Sequence, residues 1–203
     1  MQTDSENSGN LVIVISGPSG VGKDATIARI KQSGINFHHV TTVTTRDKRR
    51  GETDGVDYFF ISKDEFRERI GKDEFLEYAE VYGNYYGVPK SQVRQGLNGS
   101  MDVLIKVDVQ GAITLKKKVP DAVFIFLLPP TVEDLHQRIR SRKADTEKEV
   151  GLRMSMLTEE LKNLALFDYA VVNHNNDLDE TVAALKAIIS AEKCRVKKRS
   201  VTI

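Results

Sequence analysis

Gly17-Pro18-Ser19-Gly20-Val21-Gly22-Lys23 decides how this chain folds. Two glycines enclose four residues and a lysine follows, the spacing of a loop that wraps phosphate. Both flanks agree. Leu11-Val12-Ile13-Val14-Ile15 is an unbroken apolar, mostly β-branched run and reads as a buried strand. Ala25-Thr26-Ile27-Ala28-Arg29-Ile30 reads as a helix with Ile27 and Ile30 on one face. Strand, glycine loop and helix aim main-chain N–H groups and a helix N-terminus at an anion, while Lys23 reaches the outer phosphates. A chance glycine-rich turn would not carry both flanks, so residues 17–23 are expected to bind a nucleoside triphosphate. Position 24 departs from the pattern. The usual Ser or Thr, whose hydroxyl ligates Mg²⁺, is Asp24. Asp24 is expected either to reach Mg²⁺ through a water or simply to favour the helix N-terminus. Helical geometry turns Thr26 off the loop.

A chain of 203 residues suits one α/β core with small inserted lobes. Its net charge of +1 excludes a generally basic nucleic-acid binder. The single cysteine, Cys194, excludes a disulfide framework or a cysteine-rich metal site and suits the cytoplasm. The longest apolar run, 122–128, is far short of a membrane span. The four histidines are scattered without ligand spacing.

Residues 103–105, 122–127 and 169–172 read as further buried parallel strands, separated by helical patterns at 110–118, 132–142 and 178–194. The expected fold class is α/β: a P-loop NTPase-type parallel sheet with helices on both faces. Residues 11–41, 91–129 and 161–203 supply this core, with a loose polar tail at 1–10. Residues 42–90 form a small α+β lobe, whose helix starts at the capping box Ser62-Lys63-Asp64-Glu65. The charged, helical stretch 130–160 is expected to be a lid that closes over substrate. The basic run 193–199 reads as a solvated helix end.

A second anion site is written into Thr41-Thr42-Val43-Thr44-Thr45-Arg46-Asp47-Lys48-Arg49-Arg50-Gly51-Glu52. Arg46 and Arg49, beside hydroxyl residues, can fork onto one phosphate, and Tyr58 and Tyr86 can add phenolic donors. Glu77 lies in Phe75-Leu76-Glu77-Tyr78. A fixed carboxylate there can accept two bonds from guanine, N1–H and the N2 amino group, where adenine offers no such pair.

With these motifs in place the chain resembles the guanylate kinases, nucleoside-monophosphate kinases that make GDP from GMP and ATP. The likeness runs from Leu11 to about Cys194 and rests on the two motifs above. It rests further on Gly55-Val56-Asp57-Tyr58-Phe59-Phe60, Gly83-Asn84-Tyr85-Tyr86-Gly87, Asp108-Val109-Gln110-Gly111 and Pro129-Pro130-Thr131-Val132-Glu133-Asp134-Leu135. The resemblance implies that Arg46, Arg49, Tyr58 and Tyr86 hold the GMP phosphate and that Thr42, Glu77 and Asp108 face the base. It places Arg138, Arg142 and Arg153 on the lid and ATP side, and Asn173 near adenine. Lys23, Arg46 and the lid arginines become the catalytic cations, with ATP as donor and Mg²⁺ as cofactor. The implied partners are GMP and ATP, with no nucleic acid or membrane; monomer and homodimer both remain open.

Three further departures accompany Asp24. Val88 stands where a Ser or Thr hydroxyl normally meets guanine, which is expected either to weaken GMP binding or to leave that contact to Thr42. Lys106 stands where the family usually has Asp or Glu, and is expected to pair with Glu77 or Asp108 or to replace part of the metal's charge. Lys143 replaces the glycine after the second lid arginine. Two other readings follow from these departures: a non-catalytic protein-binding module, and a P-loop kinase with a different acceptor, another nucleotide or a sugar phosphate. For the kinase reading no general base is required. The second pKa of a phosphate monoester is about 6, so the acceptor is already ionised. Catalysis then consists of positioning, charge stabilisation and exclusion of water.

Overall fold

A computed structural model describes residues 9–81, 83–140, 147–174 and 177–203, without the side chains at 147–150, 152 and 153. Arg142, Lys143, the side chain of Arg153 and most of the expected tail at 1–10 lie outside the described residues.

Strand β1 (Val12–Ser16) is buried along its whole length. Its side chains alternate between faces: Ile13 and Ile15 join one apolar cluster, Val12 and Val14 the other. Strands β7 (Asp102–Lys106) and β8 (Val123–Leu128) pair with it on either side, both parallel. Outside them lie β2 (Phe37–His39) and β9 (Tyr169–Val172), giving the all-parallel order β2-β7-β1-β8-β9. The short, half-buried β2 is a strand that hydropathy does not announce.

Parallel neighbours require crossover helices, and these cover both faces. Ile27 and Ile30 of α1 (Lys23–Gln32), Leu135 and Ile139 of α5 (Val132–Arg140), Leu157 of α6 (Glu147–Lys162) and Leu185 of α7 (Leu178–Lys193) pack on one face. Val93 of α3 (Lys90–Asn98) and Leu115 of α4 (Val109–Lys118) pack on the other. The chain leaves β1 toward β2 on one side and later crosses from β7 to β8 on the other. The loop at the carboxyl end of β1 therefore sits at the switch point of the sheet, where open α/β sheets bind ligands.

A second sheet carries the lobe, in the order β4 (Phe59–Phe60), β3 (Val43–Thr44), β6 (Asn84–Pro89) and β5 (Phe75–Val81). Helix α2 (Lys63–Gly71) closes it. The predicted cap forms, with Ser62 Oγ accepting from the Glu65 amide at 3.1 Å. Phe66 of α2 stacks on Phe75 and Tyr85, with ring centroids 4.4 and 5.2 Å apart. No helix among the described residues is long and apolar enough to cross a membrane.

The basic tail corrects the sequence expectation. It is not merely a solvated helix end. Arg199 folds back to pair with Glu192 at 2.7 Å and donates to the Ala122 carbonyl at 3.1 Å. Glu192 is 1% exposed and also accepts from the Tyr169 hydroxyl at 2.7 Å. A carboxylate so deeply buried needs such partners, and the tail supplies them. Val201 and Ile203 then pack against the cluster on the α3/α4 face.

Candidate active site

The phosphate loop is held by its own backbone. Gly17, at φ 144°, runs so close to β8 that a Cβ would come within 2.4 Å of the Leu127 carbonyl oxygen. Gly22, at φ 99°, caps α1 and leaves room for the carboxamide of Asn173, which a Cβ would meet at 2.5 Å. That carboxamide donates to the Val21 carbonyl at 2.7 Å and accepts from the Thr181 hydroxyl at 3.0 Å. Arg138 of α5 donates to the same Val21 carbonyl at 2.8 Å and to the Asn173 carbonyl at 2.9 Å. Arg138 and Asn173 thus brace the loop from behind and lie outside the cavity wall.

In front of the loop opens a cavity of about 360 Å³. Lys23 lines it, with its ammonium on the carbonyls of Gly17 (2.5 Å) and Pro18 (3.1 Å). Burial draws the Lys23 pKa below its ordinary value, against the opposing pull of Glu160, Asp24 and Asp108. Ser19, Gly20, Gly22 and Asp24 share this wall, whereas Gly17, Pro18 and the fully buried Val21 stand behind it.

The opposite wall comes from the lobe. Arg46, Arg49, Tyr58, Tyr86 and Thr42 all reach the same cavity. Arg46 is held by Glu52 in a two-pronged pair, NH1 to Oε2 at 2.7 Å and NH2 to Oε1 at 2.5 Å. Although burial opposes it, this pair and the neighbouring tyrosines raise the Arg46 pKa. Glu52 also accepts from the Arg49 amide at 2.8 Å, so one acid orders both arginine positions. The Arg46 guanidinium lies 5.0 Å from the Tyr58 ring centroid. Tyr58 and Tyr86 meet edge to face at 6.1 Å.

Glu77 and Asp108 also line the cavity. Glu77 is 2% exposed and its Oε1 has no hydrogen-bond partner among the described residues. Burial, then the nearby Asp108, raise its pKa to about 8, with Lys118 opposing. Asp108 caps α4 by accepting from the Gly111 amide at 2.7 Å, and burial raises its pKa as well. Val88, opposite Glu77 in the β5/β6 ladder, is fully buried and absent from the cavity wall.

Lys106 pairs with neither of the acids its sequence position suggests. Its ammonium pairs with Asp24 at 2.5 Å, rather than with Glu77 or Asp108, and stands 4.3 Å from the centroid of the Tyr58 ring. Burial works against the charge, but Tyr58 and Asp24 outweigh it and raise the Lys106 pKa. The P-loop pattern implies Mg²⁺, with Asp24 the acid placed to receive it. Its carboxylate instead faces a fixed cation, and among the described residues no group of three or more His, Cys, Asp or Glu could hold a metal. The residues present do not fit a divalent ion held by the protein at Asp24.

Sequence reasoning missed two acids of this cavity. Glu52, three residues beyond Arg49, carried a signal: an acid closing an arginine-rich turn. Glu160 lines the cavity from α6 and acts on Lys23, yet nothing distinguishes it in sequence from its neighbour Glu159.

A family model described as guanylate kinase matches residues 9–192. A guanylate kinase of Clostridium perfringens (strain SM101 / Type A) is 44% identical over 193 residues, covering 95% of this chain and 88% of that protein. A guanylate kinase of Carboxydothermus hydrogenoformans is 43% identical over 188 residues, covering 93% and 91%. The crystal structure of guanylate kinase from Anaplasma phagocytophilum superposes with a TM-score of 0.77 at 29% identity, covering 93% of this chain and 89% of that one.

Proposed function

The chain belongs to the guanylate kinase family, and we propose that it moves the γ-phosphoryl group of ATP onto GMP, releasing ADP and GDP. One observation carries this reading. Lys23 of the phosphate loop and Arg46 and Arg49 of the lobe line the same cavity, so two polyanions bound there meet with their phosphates facing. A GMP phosphate oxygen attacks the γ-phosphorus as the bond to the β–γ bridging oxygen breaks, and that electron pair leaves with ADP. No proton need move.

The residues then divide by wall. Main-chain amides of Ser19, Gly20 and Gly22 cradle the ATP phosphates, with the loop's Gly17, Pro18 and Val21 shaping the cradle behind them, and Lys23 exchanges its two carbonyls for phosphate oxygens. Arg138 and Asn173 keep the loop in shape from behind, while Arg142 and Arg153 complete the cation set by the family's pattern. Arg46, Arg49, Tyr58 and Tyr86 hold the GMP phosphate; Glu77, Thr42 and Asp108 read guanine. Mg²⁺ supplied with ATP would offset phosphate charge, with no residue of this chain assigned to hold it. The helices at 130–160 act as the lid, and the reaction takes place in the cytoplasm.

A purely protein-binding role is not favoured, because Gly17, Gly22 and Lys23 keep the loop intact. A different acceptor is not favoured either, since Glu77 and both acceptor arginines face the cavity. A coupled assay of ADP release over GMP, dGMP, AMP, UMP and CMP tests the proposal. Turnover with the guanine nucleotides alone is expected; equal turnover with AMP, or none with GMP, defeats it.

A further inference from the structure

Lys106 occupies the junction of the two half-sites. On one side its ammonium grips Asp24, in the first turn of the helix that follows the phosphate loop. On the other it faces the ring of Tyr58, whose second cationic neighbour is Arg46 of the acceptor lobe. Its own strand, β7, lies between β2 and β1 in the central sheet, so this charge is mounted on an inner strand paired on both sides. The side chain is 10% exposed, and what it exposes lines the cavity.

We propose that Lys106 is a catalytic residue, a fixed protein-borne charge that contacts the phosphates where donor and acceptor meet, and that Asp24 is its positioning residue rather than a metal ligand. An ammonium has three donors. One is spent on Asp24 and one side faces Tyr58, which leaves a donor for phosphate. As the γ-phosphorus exchanges the bridging oxygen of ATP for an oxygen of GMP, negative charge shifts onto ADP and spreads over the equatorial oxygens. Lys106 gives up no proton; its charge offsets that build-up in place. A divalent ion bound by the protein at Asp24 would sit against this cation, so the protein holds no such ion of its own.

The inference rests on the phosphotransfer reading, but its decisive measurement uses no substrate and so fails or holds separately. Mn²⁺ is titrated into nucleotide-free protein and the free-ion electron paramagnetic resonance signal is followed. The wild-type protein and Asp24→Asn are both expected to leave the signal unchanged. Lys106→Asp, which sets a second acid beside Asp24, is expected to lower the free-ion signal over the concentration range where wild type leaves it unchanged. In turnover assays Lys106→Met is expected to lose about a hundredfold in kcat with ATP KM and thermal midpoint little changed. Lys106→Arg recovers much of that loss. Wild-type protein that binds Mn²⁺ and loses it in Asp24→Asn overturns the inference, and this comparison stands even where Lys106→Asp fails to fold. Turnover of Lys106→Met within about twofold of wild type overturns it too.

Discussion

The carboxyl of Glu77 rests against Gly111: a methyl group added there would stand 2.9 Å from Oε1 and 3.0 Å from Cδ. The first turn of α4 therefore gives the buried acid its room, while Asp108 caps the same turn. Gly111→Ala is expected to displace the carboxyl and raise the KM for GMP by about tenfold, because a buried polar readout tolerates little misplacement. ATP binding by calorimetry should not change. Equal loss of both nucleotides would show that the glycine serves the fold.

Glu77, as the proposed reader of guanine, is also expected to make GMP recognition depend on pH. Its carboxyl is held up to about 8 in the folded protein against an ordinary 4.5. Between those values the folded state keeps a proton that the unfolded chain has released, so stability falls as pH rises and levels off above about 8. Glu77→Gln should remove that slope from a series of thermal unfolding curves. The two bonds to guanine require the ionised form, so GMP binding near neutral pH should release a proton. Calorimetry in buffers of different ionisation enthalpy detects it; identical heats in all buffers would contradict the assignment.

Lys23→Met is expected to lower kcat by at least about two orders of magnitude with the thermal midpoint kept or raised, since a buried charge with a depressed pKa adds little to stability. Near-normal turnover would take Lys23 out of the chemistry.

Arg199 concerns stability alone. Arg199→Ala removes the nearest cation of the buried Glu192, leaving the Tyr169 hydroxyl and Arg195 at 3.4 Å. It should cost up to about 3 kcal/mol in unfolding free energy with kcat unchanged. Hydrogen bonding from Arg199, with Tyr169, holds the Glu192 pKa down to about 2. The stabilisation is thus complete above the ordinary value near 4.5 and disappears as pH falls toward 2. The variant's acid limb should be flatter than that of wild type, and overlapping curves would rule the pair out as a stabilising element.

The phosphate loop, the core strands and the lobe helix were legible because each is a local pattern: a β-branched run, glycine spacing, a capping box. That Arg46 and Arg49 belong to one cluster was legible for the same reason, and both line the cavity. Three features were not. Asp24 and Lys106 lie 82 positions apart, and strand parity told which face Lys106 takes but not which acid it would find there. Arg138 and Asn173 read as ligand-side residues, and nothing in their sequence context signals that both also bond the Val21 carbonyl of the loop. The basic tail looked solvated because only the folded core reveals that Glu192 is buried and awaits a cation.

Where Gly17 passes β8, main chain nearly touches main chain, with only a hydrogen in the place of a side chain. The anion cradle is thus cut from the polypeptide itself, and the residues around it are replaceable fittings. Such a framework lets a lineage exchange a hydroxyl for an acid, or an acid for an amine, without redrawing the pocket. A single methyl at this one glycine would undo what those larger exchanges leave whole.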